Sequence, residues 1–229
     1  MVTCVVFDMD DTLYAEVDYC KSGFRTVADW LAKNTVETNG EQIYENLWQA
    51  FCGGNHTTTF NKALENLNID YDDELIGNLI KIYREHYPEI SLPPESRAVL
   101  EKLCPQYKMA LITDGFLPAQ ELKVDALGIK KYFECIVYTE RLGREYWKPS
   151  PAGFEKVLEY YKTTGADCVY IGDNPAKDFI APNKLGFMTV QLVTAVGVHK
   201  TGPTDKDAQA KYVIDSISQL PGLLKEVGE

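Results

Sequence analysis

The sequence predicts an α/β protein in which a parallel sheet flanked by helices is interrupted near its start by a purely helical insert. Three observations carry this reading. A short apolar run, VVFDMDDTLY from Val5 to Tyr14, ends by setting three acids, Asp8, Asp10 and Asp11, within four residues. Apolar positions from about residue 19 to 87 then recur at helical spacing with no strand signal. Beyond Pro93-Pro94, helix and strand patterns alternate, as right-handed βαβ units and a parallel sheet require.

Taken in order, residues 2 to 7 read as a buried strand, short, β-branched and bounded by acids. The insert predicts four helices. They are marked by Phe24, Val27, Ala28 and Leu31, then Leu47, Ala50 and Phe51, then Phe60, Ala63, Leu64 and Leu67, then Leu75, Leu79, Ile80 and Tyr83. Asn39-Gly40 separates the first two helices, and Cys52-Gly53-Gly54-Asn55 the second and third. Helices are expected over 95 to 103, 119 to 127, 151 to 161, 178 to 185 and 216 to 227, the last broken at Pro221. Strands are expected over 108 to 113, 135 to 138, 168 to 171, 189 to 193 and 212 to 214. The polar stretch 197 to 208 reads as a surface loop. The boundaries expected are a core of residues 1–15 and 94–229, and a helical domain of 16–93.

Composition narrows the function. With 229 residues, 45% hydrophobic and 25% charged, the chain can bury a core and a smaller insert. A net charge of -11 argues against a nucleic-acid polymer or an anionic membrane as partner, so an anionic substrate must be attracted locally. No run reaches the apolar length of a membrane span and no secretory-signal layout opens the chain, so a cytoplasmic protein is expected. The six cysteines are scattered singly with no C-x-x-C, which predicts reduced, mostly buried thiols in place of a zinc site.

Parallel sheets carry their functional loops beyond the carboxyl ends of the strands. Those positions hold Asp8 and Asp10, then Thr113-Asp114-Gly115, then Lys148-Pro149, then Gly172-Asp173-Asn174 followed by Asp178. Carboxylates crowded at one sheet edge repel one another and take up protons unless they share a cation, and hard oxygen ligands favour Mg2+. Asp8, nearest the strand end, is the candidate nucleophile toward phosphorus, and Asp10, on the same side of the extended chain, the candidate acid/base. The Thr113 hydroxyl, the loop amides of Asp114 and Gly115, and Lys148 are candidate phosphate binders. Each has a plain alternative: Thr113 as a strand end, Lys148 as an exposed lysine, Asp178 as the N-cap of the next helix, Asp11 and Asp114 as structural groups.

The ordered set VVFDMDDTL, LITDG, WKPSP and IGDNPAKD resembles the four signature motifs of the haloacid dehalogenase superfamily of phosphohydrolases, over nearly the whole chain. The resemblance implies a Rossmann-like core with a helical cap inserted after the first motif, as in phosphoglycolate-type phosphatases and pyrimidine-type nucleotidases. It implies an Mg2+-dependent phosphatase that works through an aspartyl-phosphate on Asp8. Its metal ligands are then Asp8, Asp10 through its backbone carbonyl, and Asp173, with Asp178 a ligand or a support. Asp10 together with Thr12 favours hydrolysis of a phosphate monoester over dehalogenase, phosphonate-cleaving and β-phosphoglucomutase-like chemistry. The substrate class is a small phosphorylated metabolite, whether nucleotide, sugar phosphate or phospho-acid, and the expected state is monomer or homodimer. A phosphomutase or phosphotransferase, or a binding protein with vestigial activity, is the alternative. Tyr14, Lys21, Arg25 and His56 are further candidates to meet the leaving group.

Overall fold

The computed structural model describes residues 1–34, 39–54, 56–193 and 206–227. Asn55 and most of the loop expected over 197 to 208 lie outside the described residues. The chain divides into two compact units, Met1–Val17 with Ser91–Glu229, and Asp18–Ile90.

The sheet belongs to the first unit. Among the described residues its strands are β1 (Cys4–Phe7), β2 (Lys108–Thr113), β3 (Cys135–Tyr138), β4 (Cys168–Gly172), β5 (Met188–Leu192) and β6 (Tyr212–Ile214). All neighbours are parallel, in the order β3-β2-β1-β4-β5-β6. This is the α/β, Rossmann-like architecture expected. β1 is central and every one of its residues is buried, which is why it reads as a continuous apolar run. The strand order reverses between β1 and β4, so the crevice of such a sheet opens just past Phe7 and Gly172.

Register fixes which side chains reach that crevice from which face. Val6 lies opposite Ala110 and Tyr170, so Cys4, Val6, Ala110, Ile112, Cys168 and Tyr170 share one face. Asp8 continues that parity.

The second unit is helical: α1 (Glu16–Asn34), α2 (Gly40–Cys52), α3 (Thr59–Asn66) and α4 (Asp73–Glu85). Its core joins Phe24, Val27, Leu31, Leu47, Leu64 and Leu79, residues whose 3.6-period marked the helices, and adds Ile43 of α2. The polar breaks turn out to be caps. Asn39 accepts the Glu41 amide at 3.0 Å, and Asp72 accepts that of Leu75 at 2.8 Å.

The remaining helices are α5 (Pro94–Leu103), α6 (Ala119–Ala126), α7 (Ala152–Tyr161), α8 (Ile180–Lys184) and α9 (Leu220–Glu226). Phe154, Val157 and Tyr161 of α7 pack on the Cys4–Val6 face, while Val5, Phe7, Met109, Leu111, Val169 and Ile171 are buried on the other. Two expectations need correction. α8 starts at Ile180 and not at residue 178, because Asp178 turns back to accept the Asn174 amide at 2.9 Å. The stretch 216 to 227 is not one helix broken at Pro221 but a 3₁₀ turn, Ile217–Gln219, followed by α9, so the break falls just before Pro221, which sits in the first turn of α9, where its missing N–H has no intrahelical partner to lose. Among the described residues no helix is long and apolar enough to cross a membrane.

Candidate active site

Asp8 leaves the end of β1 with its amide donating to the Ile171 carbonyl at 2.8 Å, so its backbone still belongs to the sheet. Its side chain is buried, and Lys148 Nζ donates to Oδ1 at 2.5 Å while Thr12 Oγ1 donates to Oδ2 at 3.3 Å. The Lys148 ammonium also reaches Asp178 Oδ1 at 2.8 Å and the Tyr170 hydroxyl at 3.0 Å. An ammonium has three protons. All three of Lys148 are thus engaged inside the protein, and at 6% exposure it is not the surface lysine its sequence setting allowed.

Asp178 is fully buried and accepts from Lys148, from the Tyr170 hydroxyl at 3.1 Å and from the Asn174 amide at 2.9 Å. It caps the turn after β4 and not the helix after it. A Cβ on Gly172 would stand 2.6 Å from Asp178 Oδ2, so the close approach of this carboxylate depends on glycine at the strand end.

Asp8, Asp173 and Asp178 each present a carboxylate oxygen within 4.8 Å of the others. Burial, then Asp8 and Asp178, push the Asp173 carboxyl up to about 9. Burial likewise outweighs Lys148 at Asp8 and lifts it to about 6. At Asp178 burial is overcome by Lys148 and Lys177, and the group stays below its ordinary range. Asp173 is thus drawn toward its protonated form while Asp178, beside Lys148 and Lys177, is held as a carboxylate. A hard divalent cation relieves that excess of negative charge, and an all-oxygen donor set fits Mg2+.

Asp10 stands apart from this cluster. Its Oδ1 accepts Lys123 Nζ at 2.8 Å and the Tyr14 hydroxyl at 2.6 Å, and its Oδ2 accepts Gln120 Nε2 at 2.8 Å. Burial would raise this carboxyl, but Lys123, Tyr14 and Gln120 hold it below its ordinary range. Only its backbone carbonyl is left for the metal role that the superfamily resemblance implies. Lys123 also lies 3.8 Å from Glu16, which burial and then Asp10 push up to about 7.

Thr113 is buried at the end of β2, with Oγ1 3.1 Å from Gln120 Nε2. The Asp114 carboxylate accepts Thr139 Oγ1 at 2.7 Å and the Lys148 amide at 3.2 Å. It ties the second loop to the lysine loop. Lys177 approaches Asp114 at 3.8 Å with its side chain a third exposed, and is held more loosely than Lys148.

Of the other candidates, Tyr14 bonds Asp10. Lys21 pairs with Asp18 at 3.6 Å, Arg25 with Glu41 at 2.6 Å, and His56 packs edge-on to Phe51. Sequence reading missed Gln120, Lys123, Tyr170 and Lys177. The only signal for the first two was their i, i+3 spacing, which puts both on one face of α6.

A family model described as haloacid dehalogenase-like hydrolase matches residues 2–186. Glyceraldehyde 3-phosphate phosphatase of Methanopyrus kandleri is 25% identical over the full length of both chains. N-acylneuraminate-9-phosphatase of Homo sapiens is 23% identical over 99% of this chain and 95% of its own. In fold, the chain is similar to the HAD-hydrolase YfnB of Bacillus subtilis bound to magnesium, with a TM-score of 0.70 at 20% identity, covering 97% of this chain and 98% of that one.

Proposed function

We propose that this chain, which belongs to the haloacid dehalogenase-like hydrolase family, is an Mg2+-dependent phosphatase that hydrolyses the phosphate monoester of a small metabolite through an aspartyl-phosphate on Asp8. The observation that carries the reading is the burial of Asp8 at the end of the central strand, bonded to Lys148 and clustered with Asp173 and Asp178. Relatives named as phosphatases of glyceraldehyde 3-phosphate and N-acylneuraminate 9-phosphate support the substrate class.

In the first half-reaction an Asp8 oxygen bonds to phosphorus as the bond from phosphorus to the leaving oxygen breaks, and Asp10, a carboxylate in this structure that must first gain a proton, gives it to that oxygen. In the second, Asp10 takes a proton from water, whose oxygen bonds to phosphorus and returns Asp8 as a carboxylate with release of inorganic phosphate. Thr113 and the amides of Asp114 and Gly115 orient the phosphoryl oxygens, and Lys148 holds Asp8 and Asp178 in place. Asp8, Asp173, Asp178 and the Asp10 carbonyl would hold Mg2+, which would supply there the positive field that lets two anions meet.

The test is phosphate release from a panel of sugar phosphates, nucleotides and phospho-acids, with and without Mg2+, by wild type and Asp8→Asn. Mg2+-dependent release that the variant loses is the expected result. An isomeric phosphosugar formed in place of free phosphate would make the protein a mutase, and turnover unaffected by Asp8→Asn would overturn the mechanism.

A further inference from the structure

The Asp10 carboxylate sits on a short loop with rotatable χ1 and χ2, yet both of its oxygens are occupied by side chains of the same unit. Two of the three donors come from α6. Lys123 is 3% exposed, a burial lysine rarely reaches without a partner, and its nearest carboxylate is Asp10 at 2.8 Å. Gln120 is equally buried. Its Nε2 faces three oxygens at once: Asp10 Oδ2 at 2.8 Å, Thr113 Oγ1 at 3.1 Å and the Asp114 carbonyl. One amide nitrogen therefore joins the candidate acid/base to the candidate phosphate loop.

Two further observations show that this contact is built at a cost. Gln120 Oε1 is buried without a hydrogen-bond partner among the described residues, which costs about 1–3 kcal/mol. Gly115 lies at φ +137°, and a Cβ there would meet Gln120 Nε2 at 2.5 Å, so the loop must be glycine for the amide to lie against it. A side chain selected only for packing would be apolar here.

We propose that Gln120 and Lys123 are positioning residues for Asp10, fixing its carboxylate beside Thr113 so that proton transfer to the leaving oxygen is aimed. The inference rests on the phosphatase reading and adds to it which residues govern the acid/base. Misplacement of a catalytic group by 1 Å costs on the order of 10²-fold in rate.

The experiment compares kcat and KM of wild type, Gln120→Glu, Gln120→Ala, Lys123→Met and Lys123→Arg on two substrates. One is p-nitrophenyl phosphate, whose leaving group departs without a proton; the other is the best alkyl phosphate from the panel above. The variants should lose roughly 10²-fold in the first, leaving-group step on the alkyl phosphate, read by rapid quench, while keeping KM and the rate of the p-nitrophenolate burst, because only the second step of the aryl ester calls on Asp10. Lys123→Arg, which keeps the charge, should recover part of the loss. Gln120→Glu is nearly isosteric, so it decides the question if a Lys123 variant does not fold, as judged by thermal unfolding. Equal losses in the first step on both substrates, or none, would overturn the inference while wild-type turnover leaves the phosphatase reading standing. Wild-type silence on both would overturn the reading and the inference together.

Discussion

Two carboxylates two residues apart, Asp8 and Asp10, are each bonded to a buried lysine, and the two pairs differ in charge balance. Lys148 serves Asp8 and Asp178 together, and burial, helped by Asp178 and opposed by Lys148, keeps Asp8 up at about 6. Lys123 meets Asp10 alongside two neutral donors, Tyr14 and Gln120, and Asp10 falls below its ordinary range. Burial alone predicts the same upward shift for both. What differs is the set of donors: Asp10 accepts three side-chain hydrogen bonds, from Lys123, Tyr14 and Gln120, and these outweigh its burial.

Asp8→Asn should break the first pair most completely. Deleting a covalent nucleophile can cost on the order of 10⁶-fold, so turnover should vanish in a steady-state assay while the circular dichroism spectrum is kept. Asp10→Asn should cost roughly 10² to 10⁴-fold in the first step on alkyl phosphates and far less on aryl ones, while slowing the water-consuming second step for both, a split that single-substrate kinetics would miss. Lys148→Met leaves two buried carboxylates without their ammonium and should destabilise the fold by about 3–5 kcal/mol in urea unfolding. That is a large share of a domain's usual stability of about 5–15 kcal/mol.

A gentler perturbation is pH in the absence of divalent cations. The folded chain keeps a proton on Asp173 up to about 9, whereas the unfolded chain releases it near the ordinary value of 3.8. The folded state thus binds more protons across that window, so this group's contribution to stability falls as pH rises from about 4 to about 9. Mg2+ should restore the loss and release protons on binding, measurable as a buffer-dependent heat in calorimetry at pH near 7.5. A flat pH profile with no proton release would show that the three acids do not share charge. The smallest effect should come from Tyr170→Phe. It removes one bond to Asp178 and one to Lys148 while both charges keep each other, for about 1 kcal/mol.

Most of the fold was legible because the strands are short apolar runs and the insert keeps a helical period. Cys135–Tyr138 and Lys108–Thr113 fall where the pattern puts them. The failures have local causes. Asp178 before an apolar stretch has the form of an N-cap, but its carboxylate is drawn back to the Asn174 amide and to Lys148, and tertiary charge overrides the local signal. The acids of the site were legible because carboxylates at strand ends have few structural reasons to gather. Their supports were not. Tyr170 is hidden in an apolar strand where a tyrosine only looks β-prone, and Lys123 sits in a helix whose other charges are exposed. What identifies both is the partner each meets across the fold, information that no local window holds.

β1 is complete at Phe7, yet the strands on either side of it begin at Lys108 and Cys168. During synthesis, at about 5–20 residues per second, the strand that carries Asp8 waits on the order of ten seconds for its second neighbour. Over the same interval α1 to α4, which pack a core of their own, emerge in full. The helical unit is thus equipped to form while the apolar VVF segment is still unpaired. The order of translation leaves this segment, and Asp8 at its end, open to misassociation before the sheet closes around it.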